Sequence, residues 1–181
     1  MLIRMENRIL IVYKSTTGFT RKYADIVGEA ISCTVMDYRR VTKEMLSDYD
    51  TVVYGSRAHA GSIDGYRKMR KLFSQSGAKR LVLFVTGAMP NEEETLIEGF
   101  WKQNLPDGEA ERIPHFYMQA GLCYERMSCM DKMMMKGFAS MLKKKKNKSG
   151  EEQAMEKMIA ASFDISDRKY AEPLIAYLKG L

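Results

Sequence analysis

Short apolar runs alternate with amphipathic stretches along the chain. Ile9-Leu10-Ile11-Val12-Tyr13 sets apolar residues in succession, which suits a strand buried on both faces. After a polar turn, Phe19, Tyr23, Ile26, Val27, Ala30 and Ile31 recur at helical spacing. Residues 33–38 predict a second strand, less apolar and therefore nearer an edge, and residues 51–54 a third that ends in Gly55-Ser56. Residues 64–75 predict a helix with Tyr66, Met69, Leu72 and Phe73 on one stripe. The strongest strand signal spans 80–85 and ends in Thr86-Gly87-Ala88. Asn91 reads as the cap of a helix that opens with Glu92, Glu93 and Glu94, carries Leu96, Ile97, Phe100 and Trp101, and stops at Pro106-Asp107-Gly108. A fifth strand is expected over 113–120 and a long helix over 131–146. A polar loop at 147–150, a helical or irregular stretch at 151–163, and a closing helix at 167–178 complete the pattern. Such alternation implies an α/β fold, a parallel sheet covered by helices on both faces, read as a single domain over 1–181.

In such sheets ligands bind beyond the carboxyl ends of the strands. Three strand ends here carry small or polar residues: 15–20, 55–62 and 86–90. The first, Ser15-Thr16-Thr17-Gly18-Phe19-Thr20, can close around a phosphate with hydroxyls and backbone N–H groups at the positive end of a helix dipole. It contains no lysine or arginine, as expected of a phosphate that is an anchor rather than a group to be transferred. The simpler alternative is an ordinary strand–helix turn with a threonine cap. A phosphoacceptor domain is excluded because Lys14-Ser15 stands where magnesium-binding aspartates would be needed. A nucleotide hydrolase is excluded because the Gly-Lys-Ser/Thr phosphate loop is missing.

The first loop resembles the phosphate loop of flavodoxins, which wraps the FMN 5′-phosphate without a basic residue, and the later two fall where that family places its ring contacts. More narrowly, the chain resembles the flavodoxin-domain proteins related to menaquinone-dependent protoporphyrinogen oxidase. The likeness lies in the loop spacing, Gly55-Ser56-Arg57-Ala58-His59-Ala60-Gly61, and Ala120-Gly121-Leu122-Cys123-Tyr124 followed by a methionine- and lysine-rich helix. The resemblance implies a three-layer, doubly wound, five-stranded parallel sheet of order 2-1-3-4-5, with an added helical segment at about 121–166. It implies FMN held by Ser15, Thr16, Thr17, Gly18, Phe19 and Thr20, by Ser56, Arg57, Ala58, His59, Ala60 and Gly61, and by Thr86, Gly87, Ala88 and Met89, with no metal. Arg57 and His59 are the candidates for catalysis: a cation at the ring edge stabilises the reduced flavin, and an imidazole moves protons near neutrality. The implied function is electron transfer between an organic substrate and a quinone-type acceptor, of the protoporphyrinogen oxidase kind. The alternative is a non-enzymatic electron carrier serving protein redox partners.

Composition then narrows the partners. The 181 residues are 45% hydrophobic and 29% charged, as in an ordinary globular protein. The N-terminal residues show no apolar core of signal-peptide length, so a cytoplasmic protein is expected. The formal charge of +6 contrasts with acidic flavodoxins and would demand acidic protein partners. Lys143, Lys144, Lys145, Lys146 and Lys148 cluster, yet no nucleic-acid motif or stacking platform accompanies them, so nucleic acid is not expected. The favoured reading of the helix before them packs Met130, Met134, Phe138 and Met141 on the domain. The sharper one lays a basic helix over 131–148 against the inner face of an anionic membrane, where a quinone is found. Cys33, Cys123 and Cys129 read as free thiols, and His115 as structural.

Overall fold

The computed structural model describes residues 7–106 and 108–181. Residues 1–6 and Asp107, on which the expectations of no leader and of a helix-stopping turn partly fall, lie outside the described residues. Strands β1 (Ile9–Tyr13), β2 (Thr34–Asp37), β3 (Thr51–His59), β4 (Ser62–Ile63), β5 (Arg80–Gly87) and β6 (His115–Gln119) form one sheet. Parallel pairing gives the order β2-β1-β3-β5-β6, and β4 returns antiparallel on the end of β3. Counting the parallel strands alone, this is the expected 2-1-3-4-5. Helices α1 (Phe19–Ile31), α2 (Lys43–Leu46), α3 (Tyr66–Ser74), α4 (Glu94–Asn104) and α5 (Glu109–Arg112) connect the strands. After the sheet come β7 (Gly121–Leu122), α6 (Cys129–Lys144), α7 (Gly150–Met158), β8 (Phe163–Asp164) and α8 (Glu172–Lys179).

The strands are apolar on both sides because both sides are covered. Period two sends Leu10, Val12, Val52, Tyr54, Leu81 and Leu83 to one face, where Leu46, Met69 and Trp101 of α2, α3 and α4 complete a core. Ile11, Val53, Val82 and Phe84 point the other way, onto Tyr23, Ala24 and Val27 of α1 and Leu174, Ile175 and Leu178 of α8. Tyr13, Gly55, Phe84 and Phe116 stand in register across four strands, so the carboxyl ends of β1, β3, β5 and β6 lie together. A Cβ on Gly55 would sit 2.0 Å from the Phe84 ring, which lies flat across the neighbouring strand at that level.

Three local expectations change. First, β3 runs past Gly55 to His59 instead of opening into a loop, because Ser56 and Arg57 stay paired with Val85 and Thr86. A two-residue turn, Ala60 at φ 48° and Gly61 at φ 76°, then folds β4 back onto it; positive φ at both positions is the hairpin geometry that matches strand twist. β5 extends likewise through Thr86-Gly87. Second, Asn91 does not cap α4, which opens at Glu94. Its Oδ1 accepts from the Gln119 N–H (3.0 Å) and its own N–H donates to Gln119 Oε1 (3.1 Å), a reciprocal clamp that outcompetes local capping.

Third, α6 does not pack its methionine stripe on the domain. Met130 is 79% and Met133 73% exposed, and Met134, Phe138 and Met141 are exposed too, whereas Asp131 and Leu142 are the buried positions. Neighbouring helical positions lie ~100° apart, so turning Asp131 inward turns Met130 outward. The stretch 151–163 is mostly helix, opened by a capping box between Ser149 and Glu152. β7 and β8 pair antiparallel, so the chain between them leaves the sheet and returns beside its own starting point, where Ile165 N–H donates to the Ala120 carbonyl (2.9 Å).

Gly55→Ala is expected to destabilise the protein by about 1–3 kcal/mol through overpacking against Phe84. In urea denaturation the loss should shrink when Phe84→Leu is added, the two changes being less than additive.

Candidate functional site

The first loop is open at its helix end. Ser15 Oγ accepts from the Gly18 N–H (3.2 Å), and Gly18 adopts φ 102°, a left-handed conformation that glycine takes without strain. α1 starts at Phe19 with no side-chain cap, so the threonine-capped turn is not what forms. Uncapped N–H groups of the first turn, with their share of the helix dipole, therefore face the concavity beyond β1. Thr16 is exposed there. Thr20 is turned into the core, where its hydroxyl shares a 2.9 Å hydrogen bond with Thr86 Oγ1.

The loop borders a cavity of about 230 Å³ lined from all three strand ends: Thr17 and Phe19 from the first, Arg57, Ala58, His59 and Ala60 from the second, and Thr86, Gly87, Ala88 and Met89 from the third. Ser15, Thr16, Gly18, Thr20, Ser56 and Gly61 are not part of its lining. Ser56 is buried, its hydroxyl donating to the Asp64 carbonyl (2.5 Å). Gly61 serves the hairpin turn, and its carbonyl accepts from Asn104 Nδ2 (2.9 Å). Tyr117 closes the floor, its hydroxyl donating to the Met89 carbonyl (3.0 Å), and burial pushes that phenol's pKa up. The outer wall comes from the segment after β6, as Leu122, Cys123, Met127, Asp131, Met134 and Met135.

A chain of charges runs along the polar side. Lys14 Nζ meets Asp64 Oδ1 at 2.5 Å, and Arg57 Nε reaches Asp64 Oδ2 at 3.3 Å. Arg57 Nη1 donates to Asp131 Oδ2 at 2.9 Å, and His59 Nε2 lies 2.8 Å from Asp131 Oδ1. The Asp131 side chain is only 10% exposed. Burial by itself would raise its pKa, but the hydrogen bonds from His59 and Arg57 outweigh that and hold the carboxyl below the ordinary range. Asp64 is held low in the same way, burial being outweighed by Lys14 and Arg57. One carboxylate thus fastens α6 to the end of β3.

Arg57 and His59 are brought together, as the shared strand end implies. Asp131 was not anticipated: an acid just behind the Ser128 cap of an amphipathic helix reads as a dipole complement, and nothing local points to Arg57. Arg126 is a second addition, its Nη1 lying 3.4 Å from the Thr17 carbonyl. His115 lies away from this cavity, its Nδ1–H donating to the Ile113 carbonyl (2.8 Å) and its ring tilted against Trp101 at 4.5 Å. All three cysteines are free. Among the described residues no cluster could hold a metal ion, and no helix is long and apolar enough to cross a membrane.

Residues 10–149 match the flavodoxin domain family, and the chain belongs to it. Among solved structures it is similar to the two-electron reduced flavodoxin of Megasphaera elsdenii, at 18% identity and a TM-score of 0.44, over 60% of this chain and 82% of that one. It is similar to a WrbA-like flavodoxin from Agrobacterium tumefaciens, at 17% identity and a TM-score of 0.41, over 70% and 88%. It is similar to rubredoxin oxygen:oxidoreductase from Desulfovibrio gigas, at 18% identity and a TM-score of 0.43, over 86% of this chain and 37% of that one. No curated protein matches the sequence. FMN is the cofactor of this family and of this chain, and the residues fit it: an uncapped helix start behind a left-handed glycine at one end, a cavity between strand ends at the other.

Since the Asp131 carboxyl is held below its unfolded value of ~3.9, its contribution is present above that pH and is lost as pH falls through the folded value. Asp131→Asn is expected to cost roughly 1–2 kcal/mol at pH 7 and to flatten the acid limb of stability. Urea denaturation at pH 7 and pH 3 measures both, and parallel losses in parent and variant would show that the pair is not what holds α6.

Proposed function

We propose that this protein is an FMN oxidoreductase that passes electrons between an organic substrate and a quinone-type acceptor, of the kind exemplified by protoporphyrinogen oxidation. The observation that carries this reading is the outer wall. Met127, Met134 and Met135 enclose apolar space beside the strand ends, with Arg57, His59 and Asp131 at one polar corner. With a flavin ring in this cavity, the methionine wall would offer apolar contact to a small organic molecule placed against the ring.

Bound FMN supplies the redox chemistry, accepting and returning electrons. The chain's residues bind, orient and exclude water. Ser15 and the open N–H groups of α1 anchor the phosphate end, while Ala58, Gly87 and Ala88 leave room for a flat ring. Arg57 sets positive charge at the polar corner, moderated by the two carboxylates it shares. With Asp131 ionised, His59 Nε2–H is the donor to it, which leaves Nδ1 as the atom that takes up or releases a proton. The flexible methionine wall adapts to the substrate and keeps water out.

Delivery of a quinone is supported by the outer face of α6, in this reading part of a wall carried by a single flavodoxin-like domain. Exposed Met130, Met133, Phe138 and Met141 lie beside lysines, of which Lys143, Lys144 and Lys146 have no carboxylate partner among the described residues. Such a face fits the inner surface of an anionic bilayer, each lysine adding about 1 kcal/mol of attraction. The same basic face favours a second reading, a carrier docking acidic redox proteins.

FMN-loaded protein should turn over rapidly with a quinone and a porphyrinogen and sediment with phosphatidylglycerol vesicles but not with phosphatidylcholine vesicles. Reaction with purified redox proteins alone would establish the carrier instead.

A further inference from the structure

The sequence of the phosphate loop holds no cation, but the folded chain delivers one from elsewhere. Arg126 ends a short helical turn, Tyr124–Arg126, in the segment after β7, more than a hundred residues from the loop. Its guanidinium lies across the loop. Nη1 stands 3.4 Å from the Thr17 carbonyl, and a Cβ on Gly18 would be 2.8 Å from the same nitrogen. The turn that carries it is fastened. Tyr124 N–H donates to Ser162 Oγ (2.9 Å), the Tyr124 hydroxyl donates to the Ile159 carbonyl (2.6 Å), and Ser162 Oγ donates to Glu125 Oε2 (2.7 Å).

Two cations border this end of the site, and they differ. Lys22 is committed, to Asp164 Oδ2 at 3.2 Å and Ser166 Oγ at 2.7 Å. Arg126 has no carboxylate partner among the described residues, and its one bond to a neutral carbonyl is long. Among the described residues, four of the guanidinium's five donors have no partner beside the uncapped start of α1. A phosphate brings nearly two negative charges and three acceptor oxygens, which a planar fork matches.

We infer that Arg126 is a phosphate ligand of the bound cofactor, closing over the loop from the added segment so that the phosphate lies between the α1 N-terminus and the guanidinium. The inference rests on FMN being the cofactor. It assigns to the segment a second task at the end of the site opposite the redox chemistry, and it gives Gly18 a second reason to lack a side chain.

Dissociation constants for FMN and riboflavin, which differ only in the phosphate, test it by fluorescence titration of the full chain. Arg126→Gln is expected to weaken FMN roughly tenfold to a hundredfold and to leave riboflavin unchanged. Arg126→Lys should recover part of the loss, and Lys22→Gln should change neither constant appreciably. Unaltered FMN affinity in Arg126→Gln would overturn the inference while leaving the flavin site intact. An equal loss for both flavins would overturn it too, by showing that Arg126 only shapes the loop. A parent chain that binds neither flavin would overturn the cofactor assignment itself, and the inference with it.

Discussion

The in-register parallel sheet is the constraint on which everything else depends. Its strands are buried on both faces, so their backbone groups must pair with one another and their side chains must alternate between two helical layers. Tyr13, where β1 ends, is in register with Gly55, Phe84 and Phe116, and β3, β5 and β6 run three or four residues further on the same side. Beyond that row the chain turns to small residues, Ala58, Ala60, Gly87 and Ala88, which line the cavity. The cavity is the space left above a finished core.

Much of this was legible in the sequence because it follows from local patterning. Ile9 to Tyr13, the run at 80–85 and the periodic stripe of α1 each announce an element without reference to anything distant. The three strand-end loops followed from that framework. What could not be read depends on partners far along the chain. The extension of β3 to His59 carries polar residues that look like loop until β4 and β5 pair with them. Asn91 looks like a cap until Gln119 claims both its backbone and its side chain.

The helix α6 is the sharpest instance. Its methionines are distributed around so much of its circumference that hydrophobicity leaves its rotation undecided. An ion pair with Arg57 and a hydrogen bond with His59 hold Asp131 inward, and Met130 and Met133 stand in the open. Asp131 thus shares the inward face with Leu142 and the cavity-lining Met134 and Met135, while Met130 and Met133 take the outer one. Arg126 shows the same limitation from the other side, since the first loop's lack of a cation in sequence is not a lack in space.

The ribbon of β7 and β8 bears on how such a protein can diversify. Gly121 sits so close to Phe163 that a Cβ would lie 2.1 Å from its carbonyl oxygen, so the two ends of the excursion are pressed together. An excursion that departs and rejoins at one point makes no demand on the direction of the strand before it or the helix after it. Its length and content can be exchanged while the sheet, its two cores and the closing helix keep their connectivity. The sheet scaffold and the excursion that walls the cavity are therefore separable parts of one chain, meeting at the β7–β8 clasp.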